Sequence, residues 1–373
     1  MNAPNMYQWL LEHGGPVIRY RTAAEFMSPS DKIDTYRLLD ELLQSMQVKI
    51  WLERLVPHPS ITNSNDTEKR HYLLMGGLHG AKEDTFENIM GKLTDFGLRK
   101  GVPEFDKRTE PFREWLQDNV ERPPRFVFDV FIKTLIAAFL AEAGYSDEPA
   151  VKKILMERLE TVYDFTRQGS YDIYVNPEGY RKMPAGFRNR PLINPKLTRD
   201  GKDGNFCFPT IYDIIGWAAY LSAVGTNDEW DKANTIIRYI FNERYQELPW
   251  GYGAMLGGNG RYYAMGWSIH LARFKDRVMQ GTPKTAIVFL LNQLTRFSAA
   301  SGHPWFKDML DNLEGFRTEK GTYLFPRDYL QDKPLGCWVL GCRLGLEENR
   351  KTNLSRELES TFWMARLRKV PAI

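Results

Sequence analysis

The sequence predicts an all-α fold of the α/α toroid class, about six inner helices ringed by six outer ones, with the long loops on one face. Three observations predict it. Gly101, Gly144, Gly225, Gly302 and Gly345 each end an apolar segment and are followed by an amphipathic one, as in AAYLSAVG before TNDEWDKANTIIRYI. Adjacent glycines lie 43 residues apart twice, and the longer intervals of 81 and 77 read as one unit plus an insertion. The segments before the glycines are apolar on more than one face, as in Ile211, Ile214, Ile215, Trp217 and Leu221, whereas those after them carry apolar residues at three- and four-residue steps. Such a period means helix pairs stacked in series, an inner member and an outer one.

Composition frames that reading. The chain has 373 residues, 43% hydrophobic and 26% charged, with a net charge of +3, which gives no strong pull toward nucleic acid. No linker rich in Gly, Ser or Pro divides it, so residues 1–373 read as one toroid domain, with 1–30 as an N-terminal extension packing on it. FVFDVFIKTLIAAFL carries Asp129 and Lys133, and TAIVFLLNQL is too short to span a bilayer, so stable membrane insertion is not expected. MNAPNMYQWLLEHGG lacks the basic start and apolar core of a secretory signal, and three cysteines are too few for a disulfide framework. A reducing cytoplasm is the expected location.

The inner members read as Asp84 to Gly97, Phe126 to Ala143, Thr210 to Val224, Lys284 to Ala300 and Gly336 to Leu344, each with an outer partner after its glycine. Thr226-Asn-Asp-Glu229 is a capping box, Asp84-Thr-Phe-Glu87 is a near relative, and Thr109 precedes a first-turn Pro111. A sixth pair is formed by a helix from about Asp31 to Leu55 and a partner over Thr67 to Leu78.

This alternation, with KLTDFGLRKGVPEFD and FCFPTIYDIIGWAAYLSAVGTNDEW, resembles the toroid of terpenoid cyclases and protein prenyltransferase β subunits. LLEHGGPVIRYRT, GTYLFPRDYL and ELESTFWM are similar to a group of uncharacterised bacterial squalene-cyclase-like proteins. The resemblance implies an apolar or isoprenoid-like small-molecule substrate. Its chemical motifs differ: the Asp-x-Asp-Asp of squalene-type cyclases and the Asp-Asp-x-x-Asp of magnesium-dependent prenyl diphosphate enzymes do not occur, and Gln331 to Trp338 has one residue too many for a glutamine-tryptophan repeat. The prenyltransferases' Asp-x-Cys zinc motif corresponds to Asp203-Gly-Asn-Phe-Cys207, with three intervening residues, which makes Asp203 and Cys207 the candidate zinc ligands.

Inner-to-outer connections are short, whereas Gln168 to Pro209, Gln246 to Pro283 and Gly315 to Leu335 are long and lie above the N-termini of the inner helices. Long connections usually carry function, and helix N-termini favour anionic groups. In the first long loop, Tyr171, Asp172, Arg188 and Arg190 are candidate substrate contacts, and Asp200, Asp203, Tyr212 and Asp213 are candidate acid–base groups. Asp200 and Asp203 read equally as turn residues before glycine. In the second, glycine-rich loop, Trp250, Tyr252, Tyr263 and Trp267 would wall a pocket, with His270 as the proton-transfer candidate; the alternative is a loop packed on its own aromatics. Trp338 is a further candidate contact, and Cys207 and Cys337 lie near inner-helix starts.

Three functions follow. The first is an acid–base enzyme acting on an apolar small molecule. The second is a carbohydrate-active lyase or hydrolase, since α/α rings also serve sugar chemistry and two suitably spaced carboxyls would perform it. The third is a non-catalytic ligand-binding or scaffold protein.

Overall fold

Helices buried around their whole circumference form the core. In the computed structural model, which describes residues 3–31, 33–56, 77–124, 127–180, 183–198, 206–257, 260–272, 274, 284–332, 336 and 338–369, the helices Phe86–Asp95 and Thr285–Leu294 are buried at every position. Val127–Glu142 is buried from Phe131 to Ala141, and Ile211–Val224 from Ile211 to Ala218. Helices after the glycines, such as Asn227–Ile240, bury one stripe only. The chain is mostly helical.

Contacts divide it into two compact units, Met1–Pro111 with Ala272–Ile373, and Phe112–Leu271, where the sequence reads as one domain. Within 112–271, the inner helices Val127–Glu142 and Ile211–Val224 pack side by side, and the outer helices Pro149–Thr166 and Asn227–Ile240 do likewise against them. Thr226 caps the last of these in a complete capping box with Glu229, as the sequence predicts. A second capping box, Thr210 with Asp213, starts Ile211–Val224.

In the other unit, residues 1–30 supply Ala3–His13 and Pro16–Phe26, both of which pack on the C-terminal helix Asn353–Lys369. Thr285–Leu294 packs on that helix as well. This covering explains a departure from expectation: the C-terminal helix, read as an outer one, is buried without a break from Leu358 to Ala365.

Other boundaries move for local reasons. The expected Asp31–Leu55 helix is two, Thr35–Gln44 and Met46–Arg54, because Ser45 is extended and its hydroxyl donates to the Leu42 carbonyl. The helix read as starting near Pro111 runs from Pro103 to Asn119 with the proline inside it. Asp84 is not the cap of Phe86–Asp95; Thr85 is. Gly302 does not continue the 284–300 segment as one helix, which is Thr285–Leu294 and the single turn Ser298–Ser301. The Gly336–Leu344 segment is no inner helix but a 3₁₀ turn, Trp338–Leu340, with the Asn88 side chain accepting the Trp338 backbone N–H at 2.7 Å; Gly341 at φ 71° stops it from continuing as a helix. Most of the expected Thr67–Leu78 partner lies outside the described residues.

The recurrent glycines do not share one conformation. Gly101 and Gly144 end their segments at φ 97° and 96°, which only glycine adopts freely, whereas Gly225 and Gly302 have φ near −68° and −77°.

The two longest loops are not irregular. They build a four-stranded sheet in the order β1-β2-β3-β4, from Tyr174–Val175, Leu192–Ile193, Gly253–Leu256 and Tyr262–Met265. β1 and β2 are antiparallel, Leu192 of β2 pairs in parallel with Ala254, and β3 and β4 form an antiparallel hairpin with Leu256 opposite Tyr262. Gly253 is required at the junction: it has φ 131°, and a Cβ there would lie 2.5 Å from the Pro191 carbonyl oxygen that accepts the Ala254 N–H.

Candidate functional site

Most candidate residues fall in 112–271, around the N-terminal ends of its two inner helices. Asp213 is fully buried. Its carboxylate takes two hydrogen bonds from Arg158, 3.0 Å from Nε and 2.7 Å from Nη2, and two more from the backbone N–H and hydroxyl of Thr210. Arg158 also donates to the carbonyls of Phe206 and Phe208, so one guanidinium ties helix Pro149–Thr166 to the strand-like entry of the next inner helix. With three donors on Oδ2 and one on Oδ1, this carboxylate is a structural clamp.

Three more candidates are spoken for in the same way. The Tyr252 hydroxyl is buried, 2.6 Å from that of Tyr245 and 2.5 Å from the Pro209 carbonyl; burial raises its pKa well above 10, so it holds its proton. His270 is buried with Nε2 2.9 Å from the Leu248 carbonyl and Nδ1 3.0 Å from the Ser268 hydroxyl. The carbonyl accepts only from an Nε2–H, so in the neutral ring Nδ1 is the acceptor of the Ser268 hydroxyl. Burial lowers its pKa, consistent with an uncharged ring. Tyr212 lies wholly inside the core, edge-on to Phe131.

Toward the surface, Tyr171 stacks on Tyr239 at 4.4 Å, and Asp172 is exposed with Arg244 3.7 Å away. Arg188 and Arg190 are exposed in the turn after the Ala185–Phe187 3₁₀ helix, apart from the buried cluster. Trp250 is 50% exposed and lies against the His270 ring. Asp200, Asp203 and Cys337 lie outside the described residues. Cys207 donates its thiol to the Leu197 carbonyl, and burial pushes its pKa up to about 12, opposite to what a thiolate ligand or nucleophile needs. Among the described residues, no group of three or more His, Cys, Asp or Glu is placed to hold a metal ion.

One group of candidates forms a wall. Trp267 stacks on Phe131 with ring centres 3.6 Å apart, while Phe128 stands edge-on to both Trp267 and Tyr263. Phe128, Tyr263 and Trp267 are half-buried. Trp267 sits at φ 72°, and with Tyr252 at 61° it is one of two non-glycine residues at positive φ among the described residues. A bulky side chain in that region costs about 1–3 kcal/mol and persists only where its surroundings hold it, here the Phe131 ring and the Ile211 N–H, which donates to the Trp267 carbonyl.

Trp338 belongs to the other unit, fully buried, with its indole pressed on Gly91 and its Nε1 without a hydrogen-bond partner among the described residues. Near its backbone contact with Asn88, the helix Phe86–Asp95 begins with a pair that the motif reading misses. Glu87 is fully buried, and His79 Nδ1 lies 2.7 Å from its Oε1, with the Gly80 N–H donating to the same oxygen. A buried carboxylate orienting a partly exposed imidazole is the arrangement of a general acid–base pair. The overlooked signal is a charged residue on a buried helical face: Glu87 within an all-buried helix, and Arg158 in the stripe Val151, Ile154, Leu155, Arg158, Leu159, Val162.

No family model matches the chain, no curated protein matches its sequence, and no solved structure matches its fold. The likeness to squalene-cyclase-like proteins rests on the quoted sequence phrases alone.

Proposed function

We propose that the protein binds an apolar small molecule against the Phe128–Tyr263–Trp267 wall and acts on it by acid–base chemistry, as an enzyme of the terpenoid cyclase and prenyltransferase type. The observation that carries the binding is the strained, stacked Trp267, a half-buried aromatic ring at the N-terminal ends of two inner helices. The inner and outer packing within 112–271 supports continuing the pattern as a toroid. The acid–base chemistry is what the resemblance to the cyclases implies; the His79–Glu87 pair belongs to the other unit and is no part of this wall. A second reading, a ligand-binding protein without chemistry, is favoured by the full engagement of Asp213, Tyr252 and His270 in packing.

One experiment separates them. Isoprenoid alcohols and linear alkanols of matched length are titrated by tryptophan fluorescence, and mixtures are assayed for product by mass spectrometry. Binding lost in Trp267→Ala, with product formed by the unaltered protein and lost in the same variant, supports the enzyme. Binding without turnover supports the second reading, and no binding that Trp267→Ala weakens overturns both.

A further inference from the structure

Arg21 lies in the middle of helix Pro16–Phe26 and is completely buried. Burying a guanidinium is costly unless its donors are satisfied. Its Nε donates to Glu25 at 2.6 Å and its Nη1 to the Asp95 carbonyl at 2.6 Å, while its plane lies 4.4 Å over the Phe362 ring. Nη2 is buried and has no hydrogen-bond partner among the described residues.

Arg21 is among the residues that line a cavity of about 550 Å³. Four more cations line it, Arg99, Arg296, Arg366 and Lys369, against a single carboxylate among the described lining residues, Glu25. Glu25 is already engaged: Arg21 holds one oxygen, Arg366 Nε lies 3.7 Å from the other, and its backbone carbonyl accepts from Lys369. Arg99 is aimed by the carbonyls of Thr94 and Leu98, at 2.6 and 2.8 Å, at the C-terminal end of helix Phe86–Asp95. Tyr20 and Phe26 supply aromatic surface at the same cavity.

We infer that this cavity is a binding site for a soluble organic phosphate, its phosphate oxygens received by the surrounding arginines and its organic part lying on Tyr20 and Phe26. Arginine forks match phosphate oxygens two at a time, and the volume is that of a small-molecule site. A polyanion is favoured over a monocarboxylate because five cations face one carboxylate. The site lies at the opposite end of helix Phe86–Asp95 from the His79–Glu87 pair and stands independently of the proposed chemistry.

Inorganic pyrophosphate is the probe, measured by calorimetry on the full chain with acetate as the comparison, and vesicles containing phosphatidic acid tested alongside. Submillimolar pyrophosphate binding is expected, at least tenfold tighter than acetate. Arg296→Gln and Arg366→Gln should each weaken it about tenfold, the loss of one charge-assisted contact. Arg238→Gln, an exposed site in 112–271, should leave it unchanged. Arg21→Lys tests the buried fork, and the two cavity variants keep the test decisive if it does not fold. No pyrophosphate binding at millimolar concentration, acetate binding as tightly, equal weakening by Arg238→Gln, or sedimentation with vesicles without pyrophosphate binding overturns the inference.

Discussion

The Trp338 indole occupies the space where a side chain at position 91 would begin: a Cβ on Gly91 would lie 2.4 Å from Cδ2 and Cε2 of that ring. Both residues are buried, so neither moves aside cheaply. Gly91→Ala would gain about 1 kcal/mol in helix propensity, but overpacking costs about 1–3 kcal/mol and more against a rigid ring. The variant should lose several degrees of Tm, and Trp338→Leu should reduce that penalty in a double-mutant cycle.

Asp213 and Arg158 make a second test. If the carboxylate is a clamp, Asp213→Asn leaves a buried guanidinium short of its counter-charge and should destabilise by about 3–5 kcal/mol in urea unfolding. A loss within about 0.5 kcal/mol, the usual result for an exposed polar group, would return Asp213 to the list of reactive residues.

Glu347 gives the protein a pH dependence. Burial, reinforced by Glu359 and Glu348 and opposed by the Gly15 N–H 2.8 Å away, raises its carboxyl from 4.5 to about 7. The native state therefore binds more protons than the unfolded one between those values, so stability falls as pH rises through that window. Glu347→Gln keeps an acceptor for Gly15 and removes the charge. It should stabilise the protein on the order of 2–3 kcal/mol at pH 8 and very little at pH 4, read from urea midpoints at both.

Cys207 should be chemically quiet. With its thiol pushed up to about 12, alkylation by iodoacetamide at pH 7.5 should be slow in the folded protein and fast after unfolding in urea. Peptide mass spectrometry reads this directly, and rapid labelling of the native protein would restore a thiolate role.

Periodicity exposed the helices because burial follows it: the all-round apolar segment at 211–224 is a core helix, and the striped one at 227–240 is half-buried. It failed at Gly336 to Leu344, which is apolar but turns at Gly341, held at φ 71°. The sheet was not legible, since strands of two to four residues have too few alternations to register, and the β2–β3 pairing joins loops far apart in the chain. Asp213 and His270, candidate acid–base groups, and Tyr252, a candidate wall residue, are of types that serve a site when they face a cavity, and sequence does not reveal that Arg158, Leu248 and Tyr245 already meet them. Buried charges at Arg21, Glu87 and Arg158 sit where the periodic pattern demands apolar residues, and that mismatch was the available clue.

The parallel pairing of Leu192 with Ala254 has a kinetic corollary. Those strands flank the helices Ile211–Val224 and Asn227–Ile240, so they meet only after that helical hairpin has folded back and the entropy of closing a long loop has been met. The sheet, and with it the orientation of Trp267, is therefore a late event in folding and an early loss in unfolding. Hydrogen exchange should find the amides of β2 and β3 opening well before those of Val127–Glu142, so that the aromatic wall is assembled by the last contacts the chain makes.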